Sequence, residues 1–132
     1  MNITKFSRDR MMLTATRWSV PRDYIEPLYN YLVYGFEPGS FWSAVLANDF
    51  MRAVQHSHPG NSIEALKSTV GWICDNFPEE AYGDSDKVIL WQDLESVQRR
   101  RILESKDMIY TEQEEIMLAL TGTKTYEPIW TN

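Results

Sequence analysis

The chain has little with which to staple or ligate itself. Its 132 residues include one cysteine, Cys74, which excludes an internal disulfide and fits a reducing compartment such as the cytoplasm. There are two histidines, His56 and His58. An H-x-H pair can chelate a metal, but a structural zinc wants four firm ligands, so neither a metal nor a cofactor is expected. No apolar run approaches the ~20 residues of a bilayer span, and the stretch from Met1 to Arg10 lacks the apolar centre of a signal peptide. A G-x-S-x-G elbow, a phosphate-binding loop and a dinucleotide fingerprint are all missing, so no catalytic residue is assigned and an enzyme is not expected. Basic charge is in the minority, with 13 Lys and Arg against 19 Asp and Glu, a net charge of −6. A field of that sign disfavours direct binding to nucleic acid or to an anionic membrane.

Apolar and aromatic side chains are plentiful. Hydrophobic residues make up 43% and aromatic residues 13%, with five tryptophans and seven tyrosines. That composition suits a globular protein, and the length suits one domain over 1–132 with a single core. Tryptophan and tyrosine serve cores and binding surfaces alike, so composition leaves both uses open.

The periodicity predicts a mainly α fold, a compact bundle of four to five helices. Residues 1–20 read as an N-terminal arm, in which Met11 to Val20 could form a short strand. A helical core follows over 21–106, and 107–132 reads as a C-terminal helix and a docked tail. The first helix is expected over Arg22–Tyr34, with Tyr24, Leu28, Tyr31 and Leu32 on one face and Gly35 as its C-terminal cap. Ser40 is the expected N-cap of a second helix over Phe41–Gln55. That helix is apolar enough to be central. A third starts from an Asn61-x-x-Glu64 capping box and runs its core stripe through Ile63, Leu66, Val70, Ile73 and Phe77 to the stop at Pro78. A fourth, capped by Asp84 or Ser85, carries Val88, Trp91, Leu94 and Val97, and stays helix-compatible to Glu104. A fifth opens at Thr111 and closes at Gly122. The tail beyond, with Tyr126, Pro128, Ile129 and Trp130, is too apolar to be left in water and is expected to dock on this chain or on a partner.

A few polar residues stand out against this frame. Asn48 and Asp49 interrupt an apolar helix, where both are poor formers and a buried carboxylate needs a partner such as Arg52, three residues on. One reading is a polar latch between helices, and the other is an anchor at the base of a ligand pocket. Arg99, Arg100 and Arg101 point in directions about 100° apart on a helix. They read as a solvated face paired with Glu95 and Glu104, or else as an anion-binding rim. Cys74, beside Ile73, reads as a buried inert thiol.

From Gly35 to about Trp91 the chain resembles a group of small proteins of bacteriophage and prophage genomes. The residues that carry the likeness are Pro38-Gly39-Ser40-Phe41, Ala44-Val45-Leu46, Asn48-Asp49, Asn61, Asn76-Phe77-Pro78, Tyr82-Gly83 and Lys87-Val88 before Trp91. The resemblance implies a phage origin and action in the cytoplasm of a bacterial host. The function expected is that of a non-catalytic phage accessory protein that binds a host protein or a defence complex. Exposed aromatics and the tail residues Tyr126 and Trp130 would be its anchors, and a homo-oligomer would also account for the aromatic excess. The alternative is a small-ligand binder that sequesters a nucleotide-like signal. It would stack the base on an aromatic such as Trp18 and hold phosphate with Arg17, Arg52 or Arg99.

Overall fold

The computed structural model describes residues 5–57, 62–106 and 108–109. They form seven α-helices: α1 (Lys5–Arg17), α2 (Arg22–Tyr34), α3 (Ser40–Leu46), α4 (Phe50–His56), α5 (Ile63–Asn76), α6 (Ser85–Asp93) and α7 (Ser96–Ser105). A 3-10 turn, Glu79–Ala81, joins α5 to α6, and no strand occurs among the described residues. The mainly α class is as the periodicity predicts.

The central helix is α2, not the segment after Ser40. Ile25, Leu28, Tyr29, Tyr31, Leu32 and Val33 are all buried, which is more than one stripe of a helix can hold. Neighbours therefore cover α2 on several sides. Pro27 sits within it, early enough that few ladder bonds are affected. Gly35 ends it in the left-handed conformation at φ 71°, its N–H donating to the Tyr31 carbonyl. A Cβ at Gly35 would also collide with the Arg99 guanidinium, so backbone and space both demand glycine there.

The N-terminal arm is a helix. Met11 and Ala15, four apart, are buried and continue into Val20, giving α1 one core-facing stripe rather than a strand's alternation. The Thr14 and Thr16 hydroxyls donate back to the Met11 and Met12 carbonyls at 2.8 and 2.9 Å. α1 is fastened to α5 by tryptophans from both sides. Trp72 donates its indole N–H to Thr14 Oγ1 at 3.0 Å, and Trp18 donates to Asp75 Oδ2 at 3.3 Å with its ring lying over Gly71.

Two expected helices are each divided. The first divides into α3 and α4 at Asn48-Asp49, the second into α6 and α7 at Leu94-Glu95. Glu95 opens α7 with a capping box closed by Gln98. The caps shift as well. Gly39 rather than Ser40 precedes α3, and Ser62 caps α5 by accepting from the Ala65 N–H at 3.0 Å. Asn61 and the expected helix 111–122 lie outside the described residues.

The centre of the core carries two polar fastenings. The Tyr31 hydroxyl donates to the Ala81 carbonyl at 2.6 Å, and the Trp91 indole N–H reaches the Tyr31 and Leu32 carbonyls at 3.2 and 3.1 Å. Burial pushes the Tyr31 phenol well above the ordinary tyrosine range, with Arg99 pulling the other way. A phenol whose proton is held more tightly when folded contributes stability that is whole below the unfolded pKa, about 10. It is lost as pH rises through the folded pKa. Urea midpoints taken at pH 8 and across the alkaline range should therefore fall above about pH 10. Tyr31→Phe should lose about 1–3 kcal/mol at neutral pH, because the Ala81 carbonyl is left unpaired, and should show a shallower alkaline fall.

Candidate functional surface

Asn48 and Asp49 do not lock a core, and both line a shallow groove beside α4 and α5. Asn48 takes the left-handed conformation at φ 59° and is exposed, a geometry asparagine tolerates better than most residues. Asp49 is the N-cap of α4, its Oδ1 accepting from the Arg52 N–H at 3.2 Å. The pair is the stop of one helix and the start of the next. The Arg52 guanidinium approaches Asp49 Oδ2 at 3.9 Å, but Arg52 is largely exposed, so the ion pair adds little.

Arg99 is not a rim residue either. It is only 3% exposed. Its Nε donates to the Trp91 carbonyl at 3.4 Å, and its Nη2 to the carbonyls of Gln92 and Leu94 at 3.5 and 2.5 Å. These are the C-terminal carbonyls of α6, which lack helical partners, and the guanidinium meets the negative end of that helix. Burial lowers its pKa, opposed by Tyr31. Of its neighbours, Arg100 pairs with Glu104 at 2.7 Å as the solvated-face reading expected, and Arg101 is exposed.

The other candidates are scattered. Arg17 is exposed at the end of α1. Trp18 spends its ring on Gly71, which removes one face from any stacking role. Arg52 lines a shallow cavity beside α3 and α6, and neither Arg17 nor Arg99 shares that lining. Tyr126, Trp130 and His58 lie outside the described residues. Cys74 is exposed rather than buried, since Ile73 takes the core-facing position on α5 and the next residue turns away. Ser40, His56 and Asp23 line one cavity of about 410 Å³, but all three are exposed and no hydrogen bond joins them, so they make no nucleophilic triad.

The structure instead brings together residues that the sequence assigned to the core. The expected stripe is buried only toward its C-terminal end, at Ile73 on α5 and at the C-cap Phe77, whereas Ile63 is 84% exposed and Val70 39%. The facing helix α4 buries only Ala53 and leaves Phe50 and Met51 74% and 78% exposed, with Val54 also in solvent. Between them runs a groove of about 160 Å³ lined by Ala44, Val45, Phe50, Ala53, Leu66 and Val70, with Asn48 and Asp49 at its polar edge. Ile63 continues the same face of α5, three residues before Leu66 and seven before Val70. The signal lay in the sequence, because Phe50, Met51 and Val54 on a seven-residue helix exceed what one buried stripe can use. What hid it was the assumption that α3 and α4 were one continuous helix with one inward face.

Comparison with protein-family models, with curated proteins and with solved structures gives no match.

Three substitutions test these placements. Arg99→Leu should destabilise the fold by about 2–4 kcal/mol, since it strands several buried carbonyls, whereas Arg101→Ala should change stability by no more than about 0.5 kcal/mol. Asp49→Ala should lose about 0.5–2 kcal/mol through the missing cap. Chemical denaturation of each purified variant measures all three.

Proposed function

We propose that this protein is a non-catalytic binding module that takes a protein partner on the apolar α4–α5 face. The observation that carries this is the half-used stripe of α5. Ile63, Leu66 and Val70 keep core spacing, yet Ile63 and Val70 are exposed, and Val70 lines a groove with Phe50 beside the half-buried Leu66. The groove's 160 Å³ is below the ~300–1,000 Å³ of small-molecule pockets. It is close to the ~150 Å³ that accepts a benzene ring, so it fits one leucine or phenylalanine anchor from a partner chain. Asn48, Asp49 and Arg52 then form the polar rim that interfaces place around such an anchor. The net charge of −6 would steer the module toward a basic partner. The resemblance to phage and prophage proteins points to a bacterial host protein or defence complex as the partner class, met in the host cytoplasm.

The double substitution Phe50→Asp, Ile63→Asp tests this in the full chain. The wild type should capture a stoichiometric partner from host lysate, and the double variant should lose it by at least about tenfold, because two apolar anchors are replaced by charge. The free variant should melt within about 0.5 kcal/mol of the wild type, as changes at exposed positions do. A variant that keeps the partner overturns the proposal. So does one that loses more than about 2 kcal/mol of stability, a loss of the size expected only for residues inside the chain's own core. A native mass showing a dimer that the variant breaks would make the partner a second copy of this chain.

A further inference from the structure

The cavity of about 410 Å³ that Asp23, Ser40 and His56 line is walled by aromatic rings. Tyr24 reaches it from the first turn of α2, and Phe41 and Trp42 from the first turn of α3. The Tyr24 ring meets Trp42 at 5.0 Å between centroids and 64° between planes, and Phe41 meets it at 4.6 Å and 65°. The rings therefore stand as inclined walls and not as a flat stack. Trp42 is buried in the core, whereas Tyr24 and Phe41 are only half-buried against it. The volume lies within the ~300–1,000 Å³ range of small-ligand pockets.

Charge narrows the ligand. Asp23 is exposed beside the rings and forms no ion pair with a described residue. No lysine or arginine lines the cavity, and His56 is its one basic side chain. Ring faces and a carboxylate both attract a cation, and the chain's net charge of −6 acts in the same direction. Two helix starts act against it. Asp23, in the first turn of α2, offsets the positive end of that helix, but the opening N–H groups of α3 remain donors. Acceptors are accordingly few: Asp23, the Ser40 hydroxyl and a neutral His56. A primary ammonium brings three N–H donors that need such acceptors. A quaternary ammonium brings none and is held through its methyl groups on aromatic faces.

We propose that this aromatic corner binds a small molecule carrying a trimethylammonium group, of choline type. Tyr24, Phe41 and Trp42 receive the methyl groups, and Asp23 supplies the countercharge. This does not depend on the partner-binding reading, because the cavity shares no lining residue with the α4–α5 groove.

Proton NMR of choline titrated with the full chain tests it. The N-methyl signal should broaden and move upfield, because the methyl groups enter the ring currents of the aromatic walls. Two controls separate the sources of attraction: ethanolamine, which keeps the charge without the methyl groups, and the neutral isostere of choline with carbon in place of nitrogen. Each should bind at least about threefold more weakly than choline, the worth of one exposed cation–π contact. Tyr24→Leu and Asp23→Asn should each weaken choline by about three- to tenfold. Asp23→Asn lies at an exposed position and should leave the free protein folded, so it decides the matter if Tyr24→Leu unfolds. The proposal fails if choline at tens of millimolar leaves its N-methyl signal unmoved. It fails also if either control binds as tightly as choline, or if Asp23→Asn leaves the choline affinity unchanged.

Discussion

The fold depends on how two helix C-termini are buried against each other. The last carbonyls of any α-helix lack intrahelical donors, and here the ends of α2 and α6 meet inside the protein. α2 is finished by Gly35 and by the Trp91 indole, which serves the Tyr31 and Leu32 carbonyls. α6 is finished by Arg99, reaching back from α7 to three of its final carbonyls. Tyr31 ties the same junction to the 3-10 turn at Ala81. Four residues from three helices and a turn thus satisfy groups that would otherwise sit unpaired in the core. Gly35 is glycine partly because the guanidinium occupies the space a side chain would need.

That junction shows why parts of the chain were legible and parts were not. Periodicity found α2 and α5 because their stripes are long and their terminators, Gly35 and Pro78, are local signals. It missed α1, whose stripe is carried by Met11 and Ala15 alone and flanked by threonines that bond backward instead of extending the chain. It ran α3 into α4 and α6 into α7 because capping residues inside an apolar run look like interior polar residues until the backbone direction is known. Asn48-Asp49 and Leu94-Glu95 are both of this kind. Arg99 was legible as an arginine but not as a cap, since its partners are backbone carbonyls, which carry no mark in a sequence.

The same economy shaped the candidate surface. Polar residues that looked available for ligands are mostly committed to architecture: Asp49 to a helix start, Arg99 to a helix end, Trp18 to the α1–α5 seam. The groups left uncommitted are of two sorts. One is the apolar strip of Phe50, Met51, Ile63 and Val70 on α4 and α5, which is exposed among the described residues. The other is the open α1–α2 cleft, with Arg8 and Arg22 exposed in its lining. The apolar strip is the larger departure from what a lone domain would present, since exposed side chains of this size usually occur singly and not along two facing helices.

The central proposal is that the α4–α5 face, exposed among the described residues, stays open in the free chain and closes on a partner. Hydroxyl-radical footprinting of the full chain, read by mass spectrometry at Phe50 and Met51 against Trp72 and Trp91, measures this directly. Phe50 and Met51 should be oxidised at surface rates in the free protein and protected in the complex, with Trp72 and Trp91 protected in both. Protection of Phe50 and Met51 in the free monomer would contradict the account, because it would mean that the chain covers this face itself.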